Sequence, residues 1–286
     1  MHRRELLKSV VAGAVARLLS AQQRLNDNLT VVDAGGANLI AFSAPDGLVL
    51  VDSGAPKSKV ATGSKVQTLF NTHYHTDQTG NNEAFGTAGA KIVAHLRTRE
   101  WMSTDYWIPL EDRYEKARPK AARPTETFLT TGSLKAGTEQ IDYGYLPLAH
   151  TSGDIYIFFR TANVLAVGDV ASPLRDPALD YFTGAWIGGR VDAMDILLKL
   201  SNDQTRIVPA YGPVMTRAEL KAERDMMEEV RARLFKTVRE GDGPKDMLEA
   251  GVLKGLPRTW KNPEKFLYDA AKGLWAHHDK MDPNVV

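Results

Sequence analysis

Thr72-His73-Tyr74-His75-Thr76-Asp77-Gln78-Thr79-Gly80 is the stretch on which the reading of this chain turns. It sets two histidines at i and i+2 and a carboxylate at i+4 in one polar run. The run Val66-Gln67-Thr68-Leu69-Phe70 precedes it, and its near-continuous apolar and β-prone character predicts a central strand. A short helix is expected over 81–88. Five of the seven histidines lie elsewhere, so the pairing is no effect of composition. Imidazole and carboxylate at a strand end are the donors a transition metal takes. A polar loop with a hydrogen-bonded histidine is the alternative.

Outward from that stretch, strands are expected at 28–32, 91–95, 127–130, 140–146 and 206–209. Two hairpins are expected, 39–43 with 48–52 around Asp46-Gly47, and 154–159 with 163–167. Helices are expected at 96–102, 191–200, 245–250 and 263–278, and along Leu220, Met227, Val230, Leu234 and Val238 at helical spacing. The segment 103–125 reads as irregular, a loop or lid of the kind that carries binding function. Strand-rich halves followed by helices, without regular βαβ alternation, predict an α+β protein: two sheets packed face to face with outer helices.

The chain has 286 residues, 43% hydrophobic and 25% charged, as in an ordinary globular protein. A net charge of +1, with no basic block interleaved with aromatics, gives no footing for nucleic acid. The partner expected is a small-molecule substrate, and the oligomeric state stays open. Without cysteine, disulfides, thiolate nucleophiles and cysteine zinc sites are excluded, and a metal falls to His, carboxylate, amide or phenol. Zinc, iron or manganese suit that donor set. No run of eighteen apolar residues predicts membrane insertion. Arg3-Arg4 before the apolar run 9–16 is similar to a twin-arginine export signal, which implies a periplasmic protein. The alternative is an amphipathic helix and a cytoplasmic protein, with Leu7, Val11, Ala14 and Leu18 on one face.

Further polar residues stand at strand ends: Asp52-Ser53-Gly54, His150-Thr151-Ser152-Gly153-Asp154, Gly168-Asp169 and Pro209-Ala210-Tyr211-Gly212-Pro213. With His73-x-His75-x-Asp77, this ordered set resembles the metallo-β-lactamase superfamily over about residues 28–216. The resemblance implies a four-layer αββα sandwich with metal at one edge of the sheets. It divides the chain into an N-terminal segment 1–27, the domain 28–216 and a C-terminal helical extension 217–286. It implies a first metal site of His73, His75 and His150, a bridging Asp169, and Asp77 in a second site.

The pattern is broken twice. Gln78 stands where the family has a histidine, and Tyr211 replaces the histidine before Gly-Pro. Both changes strike the second site, so one firmly bound metal beside a weak or empty position is expected. The implied activity is a metal-dependent hydrolase cleaving an ester, lactone or amide bond with an activated water. Asp77 and Asp169 are the candidate bases, and Tyr211 is a donor to the oxyanion. Two alternatives of the same fold stay open: a mononuclear iron dioxygenase using His73, His150 and Asp169, and a non-catalytic scaffold with a degraded site. Gln78, Trp107 and Trp186 are candidate contacts of a second metal or the substrate. Arg175 and Arg190 are candidates for an anionic group. Asp154 is expected to brace a metal-binding histidine from behind, and His95, His277 and His278 to pack.

Overall fold

A computed structural model describes residues 22–60, 63–108 and 112–277. The paired arginines, the apolar run after them and His278 lie outside the described residues. Strands β1 (Gln22–Arg24), β2 (Leu29–Asp33), β3 (Asn38–Ala44), β4 (Gly47–Val51), β5 (Val66–Phe70), β6 (Lys91–His95) and β9 (Glu126–Phe128) form one sheet in that order. The first four pair antiparallel, and β4, β5, β6 and β9 pair parallel. A second sheet holds β10 (Thr131–Ala136), β11 (Glu139–Tyr145), β12 (Ile155–Phe159), β13 (Val164–Gly168) and β14 (Arg206–Pro209), with only the β13–β14 pair parallel.

Alternation decides which faces meet. Ile40, Phe42, Val49, Val51 and Phe70 of the first sheet pack on Ile141, Ile157, Phe159, Val164 and Val208 of the second. Leu39, Leu48, Leu50, Leu69 and Ile92 face the other way and are covered in part by Phe85 of α2 (Asn82–Thr87), and α3 (Leu96–Ser103) follows β6. On the far side, Tyr156, Phe158, Leu165, Val167 and Ile207 lie under α4 (Ile187–Leu200), α5 (Arg217–Glu240), α6 (Pro244–Glu249) and α7 (Pro263–Ala276). The layers therefore run helix, sheet, sheet, helix. The C-terminal helices share one apolar cluster with the second sheet, including Leu220, Val230, Leu234, Phe266 and Leu274. A capping box at Thr216 and Glu219 starts α5, and Gly241 at φ 83° ends it. Among the described residues no helix is long and apolar enough to cross a membrane.

Three local expectations are corrected. The segment 103–125 holds a hairpin, β7 (Tyr106–Ile108) with β8 (Arg113–Glu115), and a 3₁₀ turn at Lys120–Ala122. Strand β10 is missing from the expected set because Thr131-Gly132-Ser133 carries little apolar signal; it forms by pairing with β11. Helix α4 starts at Ile187, four residues before its expected start, with glycines at 188 and 189. A Cβ on Gly189 would sit 2.3 Å from the Leu148 carbonyl oxygen, so close approach to that loop, not flexibility, explains this glycine.

Candidate metal centre

The two sheets deliver their polar residues to one edge. His73 and His75 follow β5, with His75 as N-cap of α1 (Thr76–Thr79). His150 follows β11, Asp169 follows β13 and Tyr211 follows β14. The Ile155 amide donates to the Thr72 carbonyl over 2.9 Å, tying the two strand-end loops together. One ring nitrogen from each of His73, His75 and His150 lies within 4.8 Å of the other two. His75 Nδ1 and His150 Nε2 are 3.0 Å apart, and Asp169 Oδ2 is 3.6 Å from His73 Nε2 and 3.8 Å from His150 Nε2.

The donor set fits a metal. Two nitrogens on one tetrahedral zinc stand roughly 3.3 Å apart, given Zn–N bonds of about 2.0–2.1 Å. His73 Nε2 is buried and has no hydrogen-bond partner, an orphan lone pair aimed at its neighbours. Burial, reinforced by His150 and His75, holds His73 well below the usual imidazole range, so it is neutral and able to ligate.

Each imidazole is held by a different partner. His73 Nδ1 is 3.1 Å from Thr72 Oγ1, and Asp52 stands beside both the Thr72 amide (2.8 Å) and that hydroxyl (2.7 Å). Burial pushes Asp52 up to about 8, against the pull of its Thr72 hydrogen bonds. Asp52 Oδ2 accepts from the Thr72 hydroxyl, which leaves Thr72 Oγ1 to accept from His73 Nδ1–H and leaves Nε2 bare. His150 Nδ1 is 2.9 Å from the Ala178 carbonyl oxygen. His75 Nε2 is 3.3 Å from Asp180 Oδ2, which also accepts a 2.6 Å hydrogen bond from Tyr74. Burial alone would lower His75; the hydrogen bond and charge of Asp180 outweigh it and raise it. Asp180 turns Nε2 outward and leaves Nδ1 for the centre.

Other expected residues fall as follows. Asp154 accepts from the His150 and Thr151 amides (both 2.7 Å) and from the Thr151 hydroxyl, so it holds His150 by the backbone and not by the ring. Tyr211 donates to Asp77 Oδ2 and lies under the Arg175 guanidinium. Burial and the Asp77 hydrogen bond raise the Tyr211 phenol above its ordinary value, which keeps it protonated: a donor and a poor ligand. Gln78 is fully buried, and neither amide atom has a partner. Arg190 is fully buried, bonding the Asp169 carbonyl and Ser172 (both 2.8 Å) against Glu223, so it cannot meet a substrate. Trp186 is buried in the helical cluster, stacked on His277, and Trp107 is 45% exposed on β7. His95 stacks on Tyr145.

Asp180, Tyr74 and Glu223 escaped the sequence reading. Tyr74 sat inside the quoted motif. Asp180 is a lone aspartate in a loop with no periodicity, and nothing local marks it.

The fold and its edge define a histidine-rich candidate metal centre on an αββα sandwich. The sequence model of the metallo-β-lactamase superfamily matches residues 24–247, and the chain belongs to that superfamily. Metallo-β-lactamase IND-1 of Chryseobacterium indologenes is 23% identical over 225 residues, covering 72% of this chain and 87% of that protein. Among solved structures, the metallo-β-lactamase from Pontibacter korlensis superposes with TM-score 0.60 at 18% identity, covering 73% of this chain and 99% of that one. A double mutant of the sec-alkyl sulfatase PisA1 superposes with TM-score 0.65 at 14% identity, covering 92% of this chain and 52% of that one. These last two likenesses are of fold.

Proposed function

We propose that the protein is a hydrolase that holds one zinc ion firmly at His73, His75 and His150 and cleaves an ester, lactone or amide bond. The observation that carries this reading is the convergence of three ring nitrogens within 4.8 Å, one of them buried and unpaired. Zinc there supplies Lewis acidity towards a carbonyl and acidifies a water at neutral pH. The chain's own groups do the rest. Asp169, beside two of the histidines, accepts a proton from the attacking water. Tyr211, held protonated, becomes a donor for the negative charge that develops on the carbonyl oxygen when its single phenolic proton turns from Asp77 to that oxygen.

The second position is weak for a reason of chemistry. A neutral phenol occupied with Asp77 and an amide are poor substitutes for two imidazoles. Loss of the second cation weighs most on phosphodiesters, where paired metals help most, so carbonyl substrates are favoured.

The test is metal analysis of protein purified without added metal, followed by a panel of esters, lactones and β-lactams. One tightly held equivalent of zinc with turnover abolished by chelation is the expected result. Two tight equivalents contradict the single-metal reading. Iron with oxygen-dependent turnover establishes the dioxygenase, and absence of both metal and activity establishes a scaffold.

A further inference from the structure

A cavity of about 860 Å³ adjoins the centre: His75 and His150 line it together with Tyr268 of α7. That volume is within the range that encloses most of a drug-sized molecule. Tyr74 and Phe182 bring aromatic surface to the lining and belong to an aromatic cluster that extends outside it. Tyr74 packs on His75 (4.5 Å between centroids) and on Trp101 (5.8 Å), and Trp101 meets Tyr106 (5.1 Å) and Phe182 (5.7 Å). Ile108 and Leu179 add aliphatic surface. The cations on the lining are committed, Arg113 to Glu115 and Lys265 to Asp269. Nothing in this lining selects an anion.

Helix α7 is fastened to the site. Asp176 accepts from the backbone amides of Lys261 and Asn262, just before the helix. His277, just after it, stands with Nε2 2.9 Å from the Gly184 carbonyl oxygen. Between them, a Cβ on Gly273 would lie 2.8 Å from the Ala185 carbonyl oxygen, so helix and loop touch backbone to backbone. Tyr268 meets Tyr181 edge-on at 6.0 Å, on the loop that carries Asp180. The C-terminal extension thus builds one wall of the cavity and holds it against the loop that orients His75.

Resting on the hydrolase reading above, we propose that α7 sets substrate specificity. The substrate is an uncharged ester or lactone whose apolar acyl or aryl body lies among Tyr74, Phe182 and Tyr268, with its carbonyl at the histidines. Catalysis needs the centre; discrimination needs the extension.

The experiment uses the full chain loaded with zinc, and two readouts. The first is kcat/KM for p-nitrophenyl octanoate relative to the acetate. The second is calorimetric binding of 2-decanone, which carries a carbonyl and an apolar body but no bond to hydrolyse. Wild type is expected to prefer the octanoate at least tenfold and to bind the ketone. Tyr268→Trp, which fills the cavity, is expected to weaken ketone binding and to cut the octanoate preference, each about tenfold. Tyr268→Ala, which cannot overpack, is expected to shift the preference towards longer acyl chains. Trp275→Ala, 59% exposed on the same helix, is the control and changes neither readout. Absence of ketone binding, equal affinity in all variants, or preference for an anionic ester overturns the proposal. Ketone binding that depends on Tyr268, with no ester hydrolysed, supports the pocket and overturns the hydrolase reading instead.

Discussion

Asp180 stands 3.3 Å from His75 Nε2 while accepting a 2.6 Å hydrogen bond from Tyr74, and so decides which nitrogen of His75 faces the centre. An imidazole can present either nitrogen, and the wrong tautomer cannot ligate. Removing such a partner typically lowers metal affinity 10–100-fold. Asp180→Asn is expected to weaken zinc binding by about that factor, read by competition with a chromogenic chelator. The thermal midpoint of the metal-free protein should barely move. A variant with wild-type affinity would falsify the role given to Asp180.

The altered second position should be repairable. Gln78→His with Tyr211→His supplies the two missing imidazoles beside Asp77 and Asp169. Wild type should hold one equivalent of zinc after dialysis and the double variant two, by atomic emission. Failure to gain the second equivalent would show that loop geometry, and not donor chemistry, keeps that position weak.

Asp52 makes stability depend on pH. Its carboxyl is pushed up to about 8 in the folded chain by burial, whereas an unfolded aspartate titrates near 3.9. Between those values the folded state keeps a proton that the unfolded state has lost. This contribution to stability is therefore full below about pH 4, declines as pH rises, and is exhausted above about pH 8. Asp52 also has φ of 61°, a conformation asparagine tolerates. Asp52→Asn should flatten that decline in urea unfolding of the metal-free protein, and the wild-type curve should remain steeper. Parallel curves would exclude Asp52 as the titrating group.

Arg190 and Glu223 form a buried pair, 0% and 5% exposed, between the Asp169 loop and α5. Glu223→Ala strands the guanidinium without its counter-charge, which costs about 3–5 kcal/mol. The thermal midpoint should drop by roughly 10 °C, at about 2–4 °C per kcal/mol for a chain of this size. Replacing both residues with methionine should recover most of that loss. Equal destabilisation by the single and double changes would mean that packing, not the stranded charge, is responsible.

Much of this was local. The periodicity of 39–51 and 154–167 marks two hairpins because alternation and turn chemistry act over a few residues. His73, His75 and His150 stood out because each follows a β-rich run and strand ends collect polar groups. Gln78 and Tyr211 could be seen as departures from a pattern.

Tertiary structure alone decided the partners and the pocket. Asp180 meets His75 across 105 residues of chain, and no spacing rule reaches that far. Strand β10 exists because β11 offers a ladder, not because its own residues demand it. Helix α7 is amphipathic in sequence, yet which surface it buries against depends on close approach at Gly273 and on Asp176 holding its start. An aspartate, a tyrosine and a C-terminal helix become parts of one site only when the sheets stack and bring their loops to a common edge.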